Sequence, residues 1–378
     1  MSNKKRILIV SSLANSLTNF RGDFIKSLIS NGYEVYAGAP GFTPENHKEI
    51  EGLGAIPVAF NLQRTGLNPF VDFKTILELK RIIRNKKIDL VFPYTIKPVI
   101  YSSVAANMCK VPVVSLITGL GFTFTGLSLK SKALQKLNEF LYKRSIRKNK
   151  VVVFQNVDDK NLFMDRKILT KQNKTEVVSG SGVNLEKFKF RKNLKSDESA
   201  SFIIVTRLIR EKGTSLFIEA AKILKPKYPN SEFHIIGAPG NSPSAVKIEE
   251  LDVLHNNGTL VYHGAQSNIA EHLSQRDVFV LPTYYREGVP RSILEALSVG
   301  MPIITTDTPG CRETVIHKEN GFLIPIQNLE ALVDAMEFFI LNPKRLTEMG
   351  LSSRAYAERR FDVNIINKDL LRIINNAI

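Results

Sequence analysis

A chain of 378 residues exceeds what a single hydrophobic core usually organises, so two domains are expected. A hydrophobic content of 43% with 22 Phe excludes a disordered chain, two cysteines (Cys109 and Cys311) exclude a disulfide framework or a zinc centre, and neither is placed like a catalytic thiol. The formal net charge of +16 points to an anionic partner: nucleic acid, an anionic membrane, or a phosphorylated ligand.

The N-terminal "MSNKKRILIVSSLA" has the basic-then-apolar order of a secretion signal, but "ILIV" is too short and runs at once into polar residues. It reads as a first buried strand. A helix is expected from about Arg21 to Asn31, then strands in "GYEVYAGAP" and "AIPVAFNL", a helix in "DFKTILELKRIIRNKK" and a strand in "IDLVFPYT". A helix in "VIYSSVAANMC", a strand in "VPVVSLIT", a basic helix and the segments "KVVVFQN" and "TEVVSGSGVN" complete the first half. Alternation at this spacing means βαβ units and a parallel sheet.

The pattern breaks in a polar stretch at 186–200, the expected linker, and a second alternating series follows. It runs "FIIVT", "TSLFIEAAKILK", "EFHIIGAP", "VKIEELDVLHNNG", "TLVYHG", "SNIAEHLSQ", "DVFVLPT", "SILEALSVG", "MPIITTD", "CRETVIHK", "GFLIPI" and a helix from about Leu329 to Leu341. The expected fold class is α/β, with two Rossmann-like, doubly wound domains facing a central cleft. Residues 1–185 form the first, 201–360 the second, and a C-terminal helix in 361–378 returns to the first.

No stretch reaches the roughly 18 to 20 apolar residues of a membrane span. No helix-turn-helix, zinc finger or RNP-like aromatic signature accompanies the charge, and Trp is absent, which argues against nucleic acid. Basic charge is densest at 128–150, where eight Lys or Arg face the single Glu139 and Leu129, Leu134, Leu137, Phe140 and Leu141 recur at helical spacing. Such a helix either rests on anionic lipid headgroups or packs on the core with a solvated basic face.

Polar residues at strand ends collect where ligands bind in an open α/β sheet. In "VTRLIREKG", Arg207 ends a strand and Lys212 precedes a helix, a pattern that suits a diphosphate, or else a solvated loop paired with Glu211. In "YYREGVPRSILEALSVG", Glu287 lies in a turn and Glu295 inside the following helix. Each is either a surface glutamate or a carboxylate that takes sugar hydroxyls, Glu287 those of a hexose and Glu295 those of a ribose, with phosphates between them near Arg207 and Lys212. That is the outline of a nucleotide sugar. Gly288, Val289 and Pro290 offer backbone donors and a helix start.

Taken together, "EGVPRSILEA", "TRLIREKG", "SGSGVNLEKF" and "TPGCRETVIHKENGFLIP" closely resemble the retaining GT-B glycosyltransferases of family 4 over most of residues 179–325. The resemblance implies catalytic roles for Glu287, Arg207 and Lys212, and donor contacts from Gly182, His263, Tyr284, Gly288, Val289, Pro290, Leu294 and Glu295, with His263 and Gly264 facing the base. "NFRGDFIKSL", "YTIKPVIYSSVAA" and "ITGLGFTFTG" resemble the bacterial subgroup acting on lipid-linked intermediates of capsule, O-antigen or glycoprotein glycans, N-acetylgalactosaminyltransferases among them. Arg21, Lys97 and Thr118 are then candidates for the acceptor or its diphosphate, Arg21 and Lys97 at strand-to-helix turns. Thr118 stands where many family members carry a donor-touching His.

No D-x-D triplet occurs, so neither a metal nor a cofactor is expected. The implied activity is transfer of a hexose or N-acetylhexosamine from a UDP-sugar to a polyprenyl-diphosphate-linked saccharide, with retention, by a cytoplasmic protein peripheral at the inner face of the cell membrane. Two other readings stay open: a non-catalytic polyanion- or lipid-binding protein, and a sugar-nucleotide epimerase of similar fold.

Overall fold

The computed structural model describes every residue except 1–3, 64, 65, 67, 122, 123, 125–128, 192–198 and 241–243. The chain divides into two compact units, Met1–Ser181 with Val363–Ile378, and Gly182–Asp362.

In the first unit the order is β1 (Arg6–Val10), α1 (Ala14–Ser30), β2 (Glu34–Ala39), α2 (Pro44–Gly52), β3 (Ile56–Ala59), α3 (Pro69–Asn85) and β4 (Leu90–Pro93). Then come α4 (Ile96–Cys109), β5 (Val114–Ile117), α5 (Leu129–Ser145), β6 (Val151–Phe154), α6 (Val157–Asp165) and β7 (Thr175–Val177). Strands β3-β2-β1-β4 and β5-β6-β7 pair in parallel, and parallel bridges from Val91 to Val113 and from Tyr94 to Leu116 join β4 to β5. Alternation along β1 separates the two faces of this sheet. Ile7 and Ile9 pack with Phe24, Ile25 and Ile50, whereas Leu8 and Val10 pack with Leu79, Val99 and Tyr142. Burying a side chain such as Phe24 contributes about 1.5–3 kcal/mol.

The second unit runs β8 (Ser201–Val205), α7 (Thr214–Lys227), β9 (Glu232–Ile236), α8 (Ile248–Asn256), β10 (Val261–Tyr262), α9 (Ile269–Ser274) and β11 (Val278–Leu281). It continues with α10 (Arg291–Val299), β12 (Ile303–Thr306), β13 (Gly321–Ile324), α11 (Leu329–Leu341) and α12 (Pro343–Tyr356). Its strands form one parallel sheet in the order β10-β9-β8-β11-β12-β13, the doubly wound arrangement in which the order reverses beside the first strand. The last helix, α13 (Val363–Asn375), belongs to the first unit, where Ile366, Leu370, Ile373 and Ile374 join the core that contains Phe24.

Several expectations change. Helix α1 begins at Ala14, well before Arg21, because the polar "NSLTN" continues the helix instead of forming its approach. Helices α2 and α6 were not marked by the alternation. Both are short, and capping by Thr43 and Asn156 starts them. Within the segment "CRETVIHK" only Arg312–Thr314 forms a single 3-10 turn. The second unit begins before the polar stretch at 186–200 instead of after it. Phe188 is buried in that unit's core and Ser298 Oγ donates to its carbonyl at 2.6 Å, so burial anchors the start of this stretch despite its charge.

Candidate active site

The loops that leave the carboxyl ends of β8, β11 and β12, neighbours in the sheet, converge in the second unit. After β8 the chain makes a 3-10 turn at Arg210–Lys212 and enters α7 through Gly213 at φ +80°. A Cβ at Gly213 would lie 2.3 Å from the Pro282 carbonyl oxygen, so only glycine lets this loop lie against the end of β11. The Glu211 carbonyl then accepts from Thr283 Oγ1 at 2.9 Å and from the Tyr284 and Tyr285 amides at 2.9 and 3.0 Å. Gly310, at φ +83°, brings the β12 loop in the same way, since a Cβ there would meet the Gly288 oxygen at 1.9 Å.

This fastening sets the side chains. Lys212 Nζ lies 2.5 Å from Glu287 Oε1, and both side chains are largely buried, at 9% and 16% exposure. The Tyr285 ring faces two cations, with Lys212 Nζ 5.0 Å and Arg207 Cζ 5.6 Å from its centre. Arg207 itself is exposed at the end of β8. Two cations, one carboxylate and an aromatic face therefore share the carboxyl edge, a setting that attracts a phosphorylated ligand carrying hydroxyls.

Pro290 caps α10 with φ −63°, and Arg291 Nε donates to Glu295 Oε1 at 2.9 Å one turn on. Burial raises the Glu295 carboxyl above its ordinary range, against the pull of Arg291 and, more weakly, Lys187. Tyr284 is half-buried, Gly288, Val289 and Pro290 are buried, and Gly182 is buried at φ +73°. Leu294 is fully buried in the core, so its side chain packs and does not line the loop cluster.

His263 follows β10, half-buried, with its Nε2 3.0 Å from Nδ1 of the buried His234 on β9. Gly237, after β9, donates its amide to the Gly264 oxygen at 2.9 Å, which ties the ends of β9 and β10 together.

In the first unit the candidates separate. Arg21 lies inside α1, 2% exposed, with its guanidinium 5.3 Å from the Tyr94 ring centre, so it is not at a strand-to-helix turn. Lys97 does sit in the first turn of α4, but it bonds Asp72 Oδ1 at 3.1 Å and the Gln63 carbonyl at 2.8 Å, an ion pair that braces α3 against α4. Thr118 is half-buried just beyond β5, and residues 122, 123, 125 and 126 of the "GLGFTFTG" loop that follows lie outside the described residues.

The sequence reading missed Tyr285, Arg291 and His234. Arg291 was findable, because an Arg four residues before a Glu in a helix is a pairing signal. Which of two adjacent tyrosines faces the cations depends on the Glu211 carbonyl contacts, which no local pattern reveals.

Both units are doubly wound and parallel, and the whole chain superposes on solved glycosyltransferase structures. A Rickettsia africae glycosyltransferase matches with a TM-score of 0.79 at 20% identity over 99% of both chains. Anabaena HepE, solved in complex with UDP, matches with a TM-score of 0.77 at 17% identity over 99% of this chain and 100% of that one. These features define the GT-B fold.

In sequence, residues 186–356 match the family described as glycosyl transferases group 1, and residues 6–156 match glycosyl transferase 4-like. The Campylobacter jejuni N,N'-diacetylbacillosaminyl-diphospho-undecaprenol alpha-1,3-N-acetylgalactosaminyltransferase is 29% identical over 386 residues, covering 99% of each chain. An Escherichia coli UDP-Gal:alpha-D-GlcNAc-diphosphoundecaprenol alpha-1,3-galactosyltransferase is 29% identical over 277 residues, 70% of each. The chain thus carries a glycosyl transferases group 1 domain and a glycosyl transferase 4-like domain, which supports a glycosyltransferase over a non-catalytic polyanion binder or an epimerase.

Proposed function

We propose that the protein transfers a hexose or N-acetylhexosamine from a UDP-sugar to a saccharide carried on a polyprenyl diphosphate, with retention of configuration. The observation that carries this reading is the Lys212–Glu287 pair beside Arg207 and Tyr285 at the carboxyl edge. Support for the substrates comes from the names of the Campylobacter and Escherichia coli relatives and from UDP and UDP-glucose bound to HepE.

In this reading the bond between the sugar C1 and the diphosphate oxygen breaks, and its electron pair leaves with UDP. The acceptor hydroxyl bonds C1 on the same face and passes its proton to the departing phosphate oxygen. Lys212 and Arg207 stabilise the charge that develops on the diphosphate. Glu287 holds sugar hydroxyls and orients Lys212; it does not attack C1. Glu295 accepts from ribose hydroxyls, with Arg291 fixing its rotamer.

Acceptor delivery requires a membrane surface, and two helices of the first unit suit it. On α5, Tyr142 is buried while Lys136, Leu137, Phe140, Lys143 and Arg144 are exposed, with the Arg144 guanidinium 5.4 Å from the Phe140 ring centre. On α3, Phe70 is 83% exposed and is followed along the helix by exposed Phe73, Lys74, Leu77, Arg81 and Arg84. Apolar side chains set among cations match an anionic bilayer, at the cytoplasmic face in this reading. No helix among the described residues is long and apolar enough to cross a membrane.

Substitution at the pair tests the reading. Lys212→Gln keeps a donor toward Glu287 but removes the charge, and Arg207→Ala removes the second cation. Each charge-assisted contact is worth roughly 1.5–3 kcal/mol, so transfer falls about 10- to 100-fold per substitution, while EDTA leaves it intact. Undiminished transfer by Lys212→Gln, or activity lost in EDTA and restored by Mn²⁺, contradicts the proposed roles.

A further inference from the structure

The second unit holds a chain of polar side chains that the transfer step does not use. His234, on β9, is 3% exposed, yet both its ring nitrogens are engaged. Nε2 lies 2.9 Å from Glu232 Oε2, and Nδ1 lies 3.0 Å from Nε2 of His263. The two imidazole planes lie 22° from parallel with centres 5.3 Å apart, as an edge-to-edge hydrogen bond requires, and His272 on α9 meets the His263 ring edge-on at 5.0 Å.

The direction of these hydrogen bonds follows from the carboxylate. Glu232 accepts only, so His234 Nε2 carries the proton. Burial, with Arg276 next in weight, lowers His234 to about 4, so the ring is neutral at pH 7 and its Nδ1 is a lone pair. That lone pair takes the proton of His263 Nε2. Burial, then His272, Arg276 and His255, also lower His263, which leaves its Nδ1 as an acceptor.

His263 stands at the carboxyl end of β10, at the same edge of the sheet as Arg207 and Lys212. Two strand spacings, roughly 10 Å, separate β10 from β8, a span comparable to the reach from a diphosphate to its nucleobase. With the diphosphate over the β8 loop and the sugar at Glu287 after β11, the opposite direction along the edge leads to β10.

We propose that Glu232, His234 and His263 form a tautomer relay that presents His263 Nδ1 as an acceptor to the nucleobase, selecting a base with N–H at its pairing edge. The inference rests on the UDP-sugar reading above, and in that reading the partner is uracil N3–H. Cytosine and adenine carry a lone pair at the corresponding position and are repelled. A site built to accept from an N–H discriminates strongly against an isostere lacking it, because the buried acceptor is left unpaired. His234 is here a positioning residue, acting only through His263.

The test pairs a spectroscopic reading with a binding ratio on the full chain. Long-range ¹H–¹⁵N NMR of histidine-labelled protein at pH 7.5 is expected to show both His234 and His263 protonated at Nε2, with the His263 Nδ1 resonance moving on addition of UDP. By calorimetry, wild-type protein is expected to bind UDP about tenfold or more tighter than CDP, which differs from it at this edge alone. His263→Phe is expected to bring that ratio close to one. Glu232→Ala, at a side chain 57% exposed, is expected to lower the ratio several-fold without moving the melting temperature, while the Nδ1–H form of His263 becomes populated. A wild-type His263 protonated at Nδ1, a preference for CDP, or a ratio unmoved in both variants overturns the relay. If wild-type protein binds no UDP at all, the donor reading fails and takes the uracil assignment with it, whereas UDP binding with an unchanged ratio sinks the relay alone.

Discussion

Glu287 and Glu295 carry the same side chain into two different electrostatic settings. Glu287 faces the Lys212 ammonium across the loop cluster, whereas Glu295 pairs with Arg291 on its own helix and has a carboxyl raised by burial. Glu295→Gln is expected to weaken UDP and UDP-sugar alike, because ribose is common to both, while Glu287→Gln lowers turnover with little change in UDP affinity. The pH dependence has a definite sign. In the proposed ribose role the anion is the form that accepts hydroxyls, and burial raises its folded pKa above the ordinary carboxylate value, so UDP affinity is expected to fall with acidification through that raised value and Glu295→Gln to lose this acid limb. Calorimetry from pH 7.5 downwards checks it, and an unchanged UDP affinity in Glu295→Gln removes the ribose role. The two glutamates and two cations were picked out by residue type and spacing, and the structure brings Glu287, Lys212 and Arg207 to one loop cluster. Of the acceptor candidates, Arg21 lies inside α1 beside the Tyr94 ring instead of at a turn, and Lys97 stands at its expected turn but pairs with Asp72, a partner distant in sequence that the local pattern does not reveal.

At the scale of elements, parallel strands were the most readable feature. Runs such as "ILIV" and "VFVL" are apolar throughout because both faces of the sheet are covered. Short helices and segment ends were less readable: α2 is started by a reciprocal Thr43–Asn46 capping box with Pro44, α6 by Asn156 alone, and "CRETVIHK" holds only one 3-10 turn. Strand β9 departs from the apolar rule by burying His234, and this has a consequence for stability. The ring binds its proton near pH 6.5 when unfolded but only near about 4 when folded. Between those values the unfolded state holds more protons, so stability falls as pH drops through that window, by an amount on the order of 3 kcal/mol. Urea unfolding at pH 7.5 and pH 5 is expected to show a smaller loss for His234→Phe than for the wild type. Equal losses would mean that the buried ring does not govern acid sensitivity.

For the whole molecule, two domains and their class of fold followed from length and alternation, but the boundary did not. Composition marked the charged stretch at 186–200, whereas burial of Phe188 assigns its beginning to the second unit. The net charge of +16 is a property of the whole chain, and its proposed use is attraction to an anionic bilayer. Arg147 donates to the Ile168 and Lys167 carbonyls, so charge removal is better made at Lys136, Lys143, Arg144 and Lys148. Replacing these four with Gln is expected to reduce binding to anionic liposomes at low salt, at about 1 kcal/mol per residue near the surface, while leaving UDP affinity unchanged. Liposome binding equal to the wild type's would return α5 to a purely structural role. Sugar transfer to a lipid-carried diphosphate is read out by mass spectrometry of a synthetic undecaprenyl-diphosphate saccharide incubated with a panel of UDP-sugars. A mass gain of one hexose or N-acetylhexosamine is expected with wild-type protein, and a loss of that gain in Lys212→Gln. UDP-sugar binding with no extension of any lipid-linked acceptor, or equal extension by Lys212→Gln, would contradict it.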